Sequence, residues 1–129
     1  MTDHLEAGSN VPSLDTAVGY VKDDFSGAIV TFMGTIRKED QGREVKNLEY
    51  QKTPEEGKQH LEELIGQVRK EVPVTKAFVY IRTGKIYVGD STVVVAVSAK
   101  HREQAVKALD LIVKGLKHKI CADHDQQFA

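Results

Sequence analysis

A cationic cluster, Lys100-His101-Arg102, is the first part of the sequence whose residue types could do chemistry. It stands where an apolar strand, residues 92–98, is predicted to lead into a long helix. The backbone N–H groups of a helix's first turn attract anions, and arginine and histidine side chains add donors for a phosphate or a carboxylate. A solvated helix start has the same composition, so the pattern alone leaves both interpretations open.

Four more cations, Lys114, Lys117, His118 and Lys119, lie near the other end of the same predicted helix. At about 100° per residue, Lys117 falls on the flank of the apolar stripe, whereas Lys114 and His118 point away from it. A lysine that is partly shielded from water can transfer protons or take part in acyl chemistry. Cations at a helix C-terminus also simply complement the helix dipole, and spacing does not separate these two roles.

Arg37 is the third candidate, because it closes an apolar run and borders a polar loop, residues 38–44. An arginine in that place can bind an anion through two nitrogens, and it can equally be an ordinary surface residue. Gly27 and Gly34 have neither the spacing nor the following helix of a phosphate-binding or dinucleotide-binding loop.

The C-terminal segment contains three residue types that can bind metals: Cys121, His124 and Asp125. No supporting ligands surround them in the sequence, so no metal site is predicted. Because Cys121 is the single cysteine, an intramolecular disulfide and a cysteine-based zinc cage within one chain are excluded. Nothing around this cysteine indicates an activated thiol.

Length and charge limit the class of protein. The 129 residues suit one domain, and 40% hydrophobic residues suffice for one core. A net charge of -1 and 6% aromatic residues argue against a nucleic-acid coat. The longest strongly apolar run, residues 93–97, is too short to span a membrane, and the acidic N-terminus does not look like a signal peptide. Together with the lone thiol, this predicts a cytoplasmic protein.

The elements that must position these residues can be read from periodicity. Residues 1–12 are expected to be a loose leader, and Ser13 to cap a short helix. Residues 28–36 are predicted to form a strand buried on both faces, and residues 45–51 another strand. Thr53 to Glu56 predict a capped helix that ends before Pro73. Strands at 77–82 and 92–98 flank a glycine-bracketed corner, residues 84–90, and the last helix is predicted from near Ala99. This irregular mixture indicates an α+β protein.

Four blocks in this order resemble the large subunit of molybdopterin synthase. They are residues 27–37 (GAIVTFMGTIR), the corner at 84–90, residues 95–102 (VAVSAKHR) and the helix end at 112–117 (IVKGLK). The resemblance covers about residues 14–119. It implies that residues 13–119 form one domain of the α/β-hammerhead type, with a mixed or antiparallel sheet and packed helices. Residues 120–129 are then a divergent C-terminal tail.

The resemblance also implies an activity. In that family a homodimer of large subunits binds a ubiquitin-like small subunit on each, forming a heterotetramer, and needs no cofactor of its own. Sulfur passes from the small subunit's C-terminal thiocarboxylate to cyclic pyranopterin monophosphate, which becomes molybdopterin. Carried over, Lys117 is the catalytic lysine; the backbone of Thr35 and Ile36, with the side chains of Arg37, His101 and Arg102, binds the substrate phosphate.

The tail departs from the family pattern, which continues with a proline-aromatic segment and a second lysine. Counting forward places His124 at that lysine, and Lys119 is the candidate to replace it in substrate binding. The altered tail keeps a non-catalytic homologue, which binds the small subunit or holds the dimer, as an alternative. A general anion or nucleic-acid module on the basic helix is a third. Because His101 and Lys117 lie about 25 Å apart along one helix, a site shared across a dimer is expected.

Overall fold

The computed structural model describes residues 3–40, 43–50, 53–116 and 124–128. Within these ranges, three helices alternate irregularly with eight strands, as predicted for an α+β protein. In chain order they are β1 (His4–Gly8), α1 (Leu14–Val21), β2 (Ala28–Thr35), β3 (Glu39–Asp40), β4 (Arg43–Tyr50), α2 (Pro54–Glu71), β5 (Lys76–Arg82), β6 (Gly84–Tyr87), β7 (Ser91–Ala99), α3 (Arg102–Gly115) and β8 (His124–Phe128).

Helix α2 begins where the sequence predicts it. The Thr53 hydroxyl accepts a hydrogen bond from the Glu56 backbone N–H at 3.2 Å, and the Glu56 carboxylate accepts one from the Thr53 N–H at 3.1 Å. This reciprocal pair satisfies two N–H groups that the helix itself leaves unpaired. The apolar stripe of the helix, made of Leu61, Leu64, Ile65 and Val68, is buried. The capping box and the stripe are therefore confirmed.

The main sheet has the strand order β1-β5-β7-β2. Strand β1 is parallel to β5, and the other neighbours are antiparallel. Central strand β7 is buried from Val93 to Ala99, which explains its continuous apolar sequence. Helices α2 and α3 cover one face of the sheet, and α1 covers β5 and β7 on the other, where Ala17 and Val21 pack.

Strand β2 is not buried on both faces, so that prediction is wrong. Its residues alternate between half-buried and exposed; Val30 and Phe32 pack against the core, whereas Ile29 and Met33 are 37% and 41% exposed. The physical reason is its place at the edge of the sheet, beyond the two strands that α1 covers. An apolar run alone does not distinguish such a strand from a fully covered one.

The segment expected to be a loose leader contains β1. Leu5 and Ala7 are buried in the core, and the strand pairs with β5 in the register His4↔Phe78 to Gly8↔Arg82. Asp3 fixes its start, because its carboxylate accepts hydrogen bonds from Arg69 and from the Ala77 backbone N–H. The partner strand lies some seventy residues away, so local sequence gives little sign of it.

Several boundaries also differ from prediction. Helix α3 begins at Arg102 rather than near Ala99, because β7 continues to Ala99, which pairs with Ala28. The polar loop contains β3, and the glycine-bracketed corner contains β6. Strands β3, β4 and β6 form a second sheet, and β8 pairs with β4, so part of the expected tail is a strand. In the described part of the chain, no helix is long and apolar enough to cross a membrane.

Candidate active site

A cavity of about 460 Å³ opens between the end of β2 and the last turns of α3. Its walls are formed by the last residues of β2, by Arg37 shortly after that strand, by the first residues of β7 and by the C-terminal end of α3. The lining residues are Phe32, Met33, Gly34, Thr35, Arg37, Thr92, Val93, Val113 and Leu116. The lining is thus largely apolar and includes one guanidinium, a composition that suits a ligand with an apolar body and an anionic group.

Gly34 is required for the shape of this cavity. A Cβ atom at this position would lie 2.6 Å from Thr92 Oγ1 and 2.8 Å from Val93 Cγ1. The absence of a side chain therefore lets the end of β2 lie close to the start of β7. The pairing of the two strands is irregular between Gly34 and Thr35, which turns the chain just before Arg37.

The three predicted binding residues at the end of β2 differ in what they present. Thr35 and Arg37 are exposed and line the cavity. Ile36 is 7% exposed, so its side chain is part of the interior, and it is not among the residues that line the cavity. The binding role of the backbone at Thr35 and Ile36 stays a prediction.

His101 and Arg102 form a second cationic position, at the start of α3. His101 is the N-cap residue, and its side chain makes no capping hydrogen bond. Lys100, His101 and Arg102 are all exposed, and Arg102 has one exposed carboxylate neighbour, Glu103, at 3.6 Å. The first-turn N–H groups and two cationic side chains therefore face solvent together, as an anion site requires.

The two positions lie at opposite ends of the main sheet. Strands β2 and β7 are antiparallel, with Ala28 opposite Ala99 and Thr35 opposite Ser91. Arg37 follows the far end of β2, whereas His101 follows the far end of β7, so roughly 25 Å of strand separates them. One chain therefore brings Arg37 together with the C-terminal end of α3, and does not bring it together with His101 and Arg102.

Lys117 and Lys119 lie outside the described residues, as do His118 and Cys121. The described range that contains α3 ends at Leu116, which is 2% exposed and belongs to both the core and the cavity wall. Lys117 is the next residue along the chain. The backbone of His124 pairs with Tyr50 in the second sheet. Among the described residues, no three histidine, cysteine, aspartate or glutamate side chains form a group that could hold a metal ion.

Sequence reasoning missed the apolar part of the site. Phe32 and Val113 line the cavity from β2 and α3, but in the sequence they are ordinary members of an apolar run and a helical stripe. The antiparallel register of β2 and β7, together with the packing of α3 on both, brings them together. A single sequence contains no signal for that register.

Fold and site together define an α+β protein with a cavity that Arg37 lines at the end of β2. Comparison with known proteins identifies the family: the model of the family described as "MoaE protein" matches residues 9–119, and the chain belongs to this family. The molybdopterin synthase catalytic subunit of Pyrococcus abyssi is 32% identical over 108 residues, which are 84% of this chain and 73% of that protein.

Solved structures agree with the fold. The structure of molybdopterin synthase from Staphylococcus aureus superposes with a TM-score of 0.83 at 20% identity, covering 97% of this chain and 90% of that one. A complex of subunits 1 and 2 of molybdopterin-converting factor from Helicobacter pylori contains a chain with a TM-score of 0.69 at 17% identity, covering 98% and 89%. The similarity extends across the main sheet and all three helices.

Proposed function

We propose that this chain is the catalytic subunit of a molybdopterin synthase, a sulfurtransferase that makes molybdopterin from cyclic pyranopterin monophosphate. Membership of the MoaE family supports the activity. The cavity is the observation that supports this activity at one place in the structure. Arg37 lines the cavity, and so does Leu116, the residue before Lys117.

The sulfur donor is a small ubiquitin-like subunit with a C-terminal thiocarboxylate. Each transfer forms a carbon–sulfur bond on the pterin substrate, and a carbon–oxygen bond breaks at the same carbon, so that its oxygen leaves on the phosphate or as water. The acyl carbon–sulfur bond of the donor breaks in the same transfer. A water oxygen takes the place of the sulfur, so the donor leaves as a carboxylate, and two donors supply one dithiolene. The complex of two subunits from Helicobacter pylori supports such a partner.

The roles of the residues follow from charge. Arg37, with the backbone at Thr35 and Ile36, would hold the anionic substrate at the cavity edge. The ammonium group of Lys117 would stabilise negative charge as the sulfur is transferred and would move protons. Lys119 would add a second cation for the substrate.

His101 and Arg102 would complete the site from a second copy of the chain. A two-fold axis near the middle of β2 would place the start of α3 of one subunit beside the end of α3 of the other. The outer face of β2 supports this arrangement, because Ile29 and Met33 expose apolar surface at the edge of the sheet. The active assembly is then a homodimer within a heterotetramer.

A reconstitution tests the proposal. Purified protein is mixed with thiocarboxylated small subunit and cyclic pyranopterin monophosphate, and molybdopterin is followed through its fluorescent oxidation product. We expect product, and we expect Lys117→Ala to abolish turnover while small-subunit binding remains. Lys114→Ala is the matched control, because Lys114 is exposed on the same helix and paired with Asp110 at 3.0 Å.

Two other results would contradict the proposal. Stable binding of the small subunit by the unmodified chain without any product would show a non-catalytic homologue. Equal loss of activity in Lys114→Ala and Lys117→Ala would show that neither lysine has a specific role.

A further inference from the structure

Gly115 occupies the last turn of α3, where glycine is a poor helix former. A need for left-handed backbone does not explain it, because the described glycines with positive φ are Gly84 and Gly89. The following residue, Leu116, also has ordinary helical angles, with φ -59° and ψ -44°. Glycine at 115 therefore does not serve as a helix-ending residue. The explanation must be the neighbouring side chains that pack against this position.

The missing side chain makes room for Leu64 of α2. A Cβ atom at position 115 would lie 2.2 Å from Leu64 Cδ1, 3.0 Å from Cδ2 and 3.2 Å from Cγ. Leu64 is 4% exposed and is enclosed by the main core, so a close-packed surrounding restricts its movement. The last turn of α3 consequently lies directly against α2.

A helical glycine does not by itself imply such a close approach. Gly66 is also a helical glycine, in α2, yet a Cβ atom there would have nothing within 4 Å. The two glycines share residue type and helical setting and differ in what surrounds them. Gly66 therefore provides a matched control for the effect of a methyl group on a helix.

The turn that Gly115 places against α2 also forms one wall of the cavity. Val113 and Leu116 line the cavity on either side of Gly115, and Lys117 follows. We infer that the contact between Gly115 and Leu64 is a positioning device for the sulfur-transfer site, which fixes the cavity wall up to Leu116, the residue that precedes Lys117 in the sequence. The inference rests on the proposed function.

Kinetics of four variants test it. We expect Gly115→Ala to lower kcat at least about 10-fold, since a displacement of about 1 Å can cost about 100-fold in rate. The KM for the thiocarboxylated small subunit should change less than about 3-fold, because other parts of the interface are untouched. Leu64→Val removes both Cδ atoms, so the double variant Gly115→Ala/Leu64→Val should recover to within about 3-fold of the original kcat. Gly66→Ala should stay within about 3-fold. Leu64→Val alone should lower kcat less than Gly115→Ala does, because it loosens the contact without pushing α3 away from α2.

Crystal structures of the same proteins separate this inference from the proposed function. In Gly115→Ala, the Cα of Leu116 should move away from α2 and change its distance to the Cα of Arg37, and Leu64→Val should reverse the shift. An unmoved turn, or a kcat loss that Leu64→Val does not reverse, would overturn the positioning role. The unmodified chain could make no molybdopterin although Gly115→Ala displaces the last turn of α3 and Leu64→Val restores it. In that case the proposed function fails while the structural role of Gly115 stands.

Discussion

Arg37 is the described cation that lines the cavity, and its contribution can be measured separately from that of Lys117. We expect Arg37→Ala to raise the KM for cyclic pyranopterin monophosphate roughly 10- to 100-fold, because a hydrogen bond between charged groups contributes about 1.5–3 kcal/mol. The kcat at saturating substrate should fall less. Steady-state kinetics with the pterin as the varied substrate would measure both.

The neighbouring residue provides the control for Arg37. Lys38 is also exposed and cationic, but it does not line the cavity. Lys38→Ala should therefore leave the KM within about 2-fold, since an exposed charge that makes no contact with the substrate is weakened by water and salt. Equal effects of the two substitutions would mean that general positive charge, and not a defined contact, attracts the substrate.

At the scale of elements, β1 depends on the side chain of Asp3. Its carboxylate accepts a hydrogen bond from Arg69 Nη2 at 2.9 Å and from the Ala77 backbone N–H at 3.0 Å, and both members of the ion pair are largely shielded from water. We expect Asp3→Asn to lower the free energy of unfolding by about 1–3 kcal/mol, because it leaves a partly buried guanidinium without its counter-charge. Urea unfolding followed by circular dichroism would measure the loss.

An exposed ion pair of the same strand gives the comparison. Glu6 and Lys58 are 3.4 Å apart, and their side chains are 42% and 49% exposed. Glu6→Gln should cost less than about 1 kcal/mol. If Asp3→Asn costs no more than Glu6→Gln, the partly buried pair does not hold β1 in place.

The sequence predicted elements whose causes are local and missed those whose causes are distant. The capping box at Thr53 and the apolar stripe of α2 each arise within one or two helical turns, and the structure confirms both. Strand β1 depends on β5, and the exposure of β2 depends on how far α1 reaches across the sheet. Neither the pairing of β1 with β5 nor the exposure of β2 is visible in the hydrophobic periodicity of the strand concerned.

The candidate site was predictable to the same extent. Arg37, His101 and Arg102 were identified from charge, element ends and family resemblance. Their distribution over two separated positions follows from the antiparallel register of β2 and β7, which no local pattern encodes. The apolar lining, Phe32 and Val113 among it, becomes visible once α3 is packed against β2.

At the scale of the whole molecule, a site shared between two subunits predicts complementation. Lys117→Ala and Arg102→Ala damage opposite halves of the site, so a mixed dimer contains one intact site and one doubly damaged site. Random exchange of subunits should restore about a quarter of the original activity, since half of the dimers are mixed and each has one working site of two. The assay is molybdopterin formation at limiting substrate after the two inactive proteins are mixed.

A second mixture tests whether recovery requires the two lesions to lie in opposite halves of the site. Lys117→Ala and Arg37→Ala damage the same half of the site, because Arg37 and the end of α3 line one cavity in one chain. Every site in their mixed dimers carries one lesion, so activity should not return. Subunit exchange is checked separately, by mass spectrometry of dimers that carry two distinguishable affinity tags. Recovery in neither mixture, once mixed dimers have been detected, would show that each chain uses its own His101 and Arg102 or none.

The edge position of β2 also has a consequence during protein synthesis. Its ladder partner, β7, leaves the ribosome roughly 60 residues later, a delay of about 3–12 s at typical rates of elongation. Throughout that interval β2 is a β-branched, apolar strand with neither edge paired, the kind of segment that nascent chains aggregate through. The polar segment that follows, residues 37–44, contains six charged side chains and would keep neighbouring nascent copies soluble until β7 arrives.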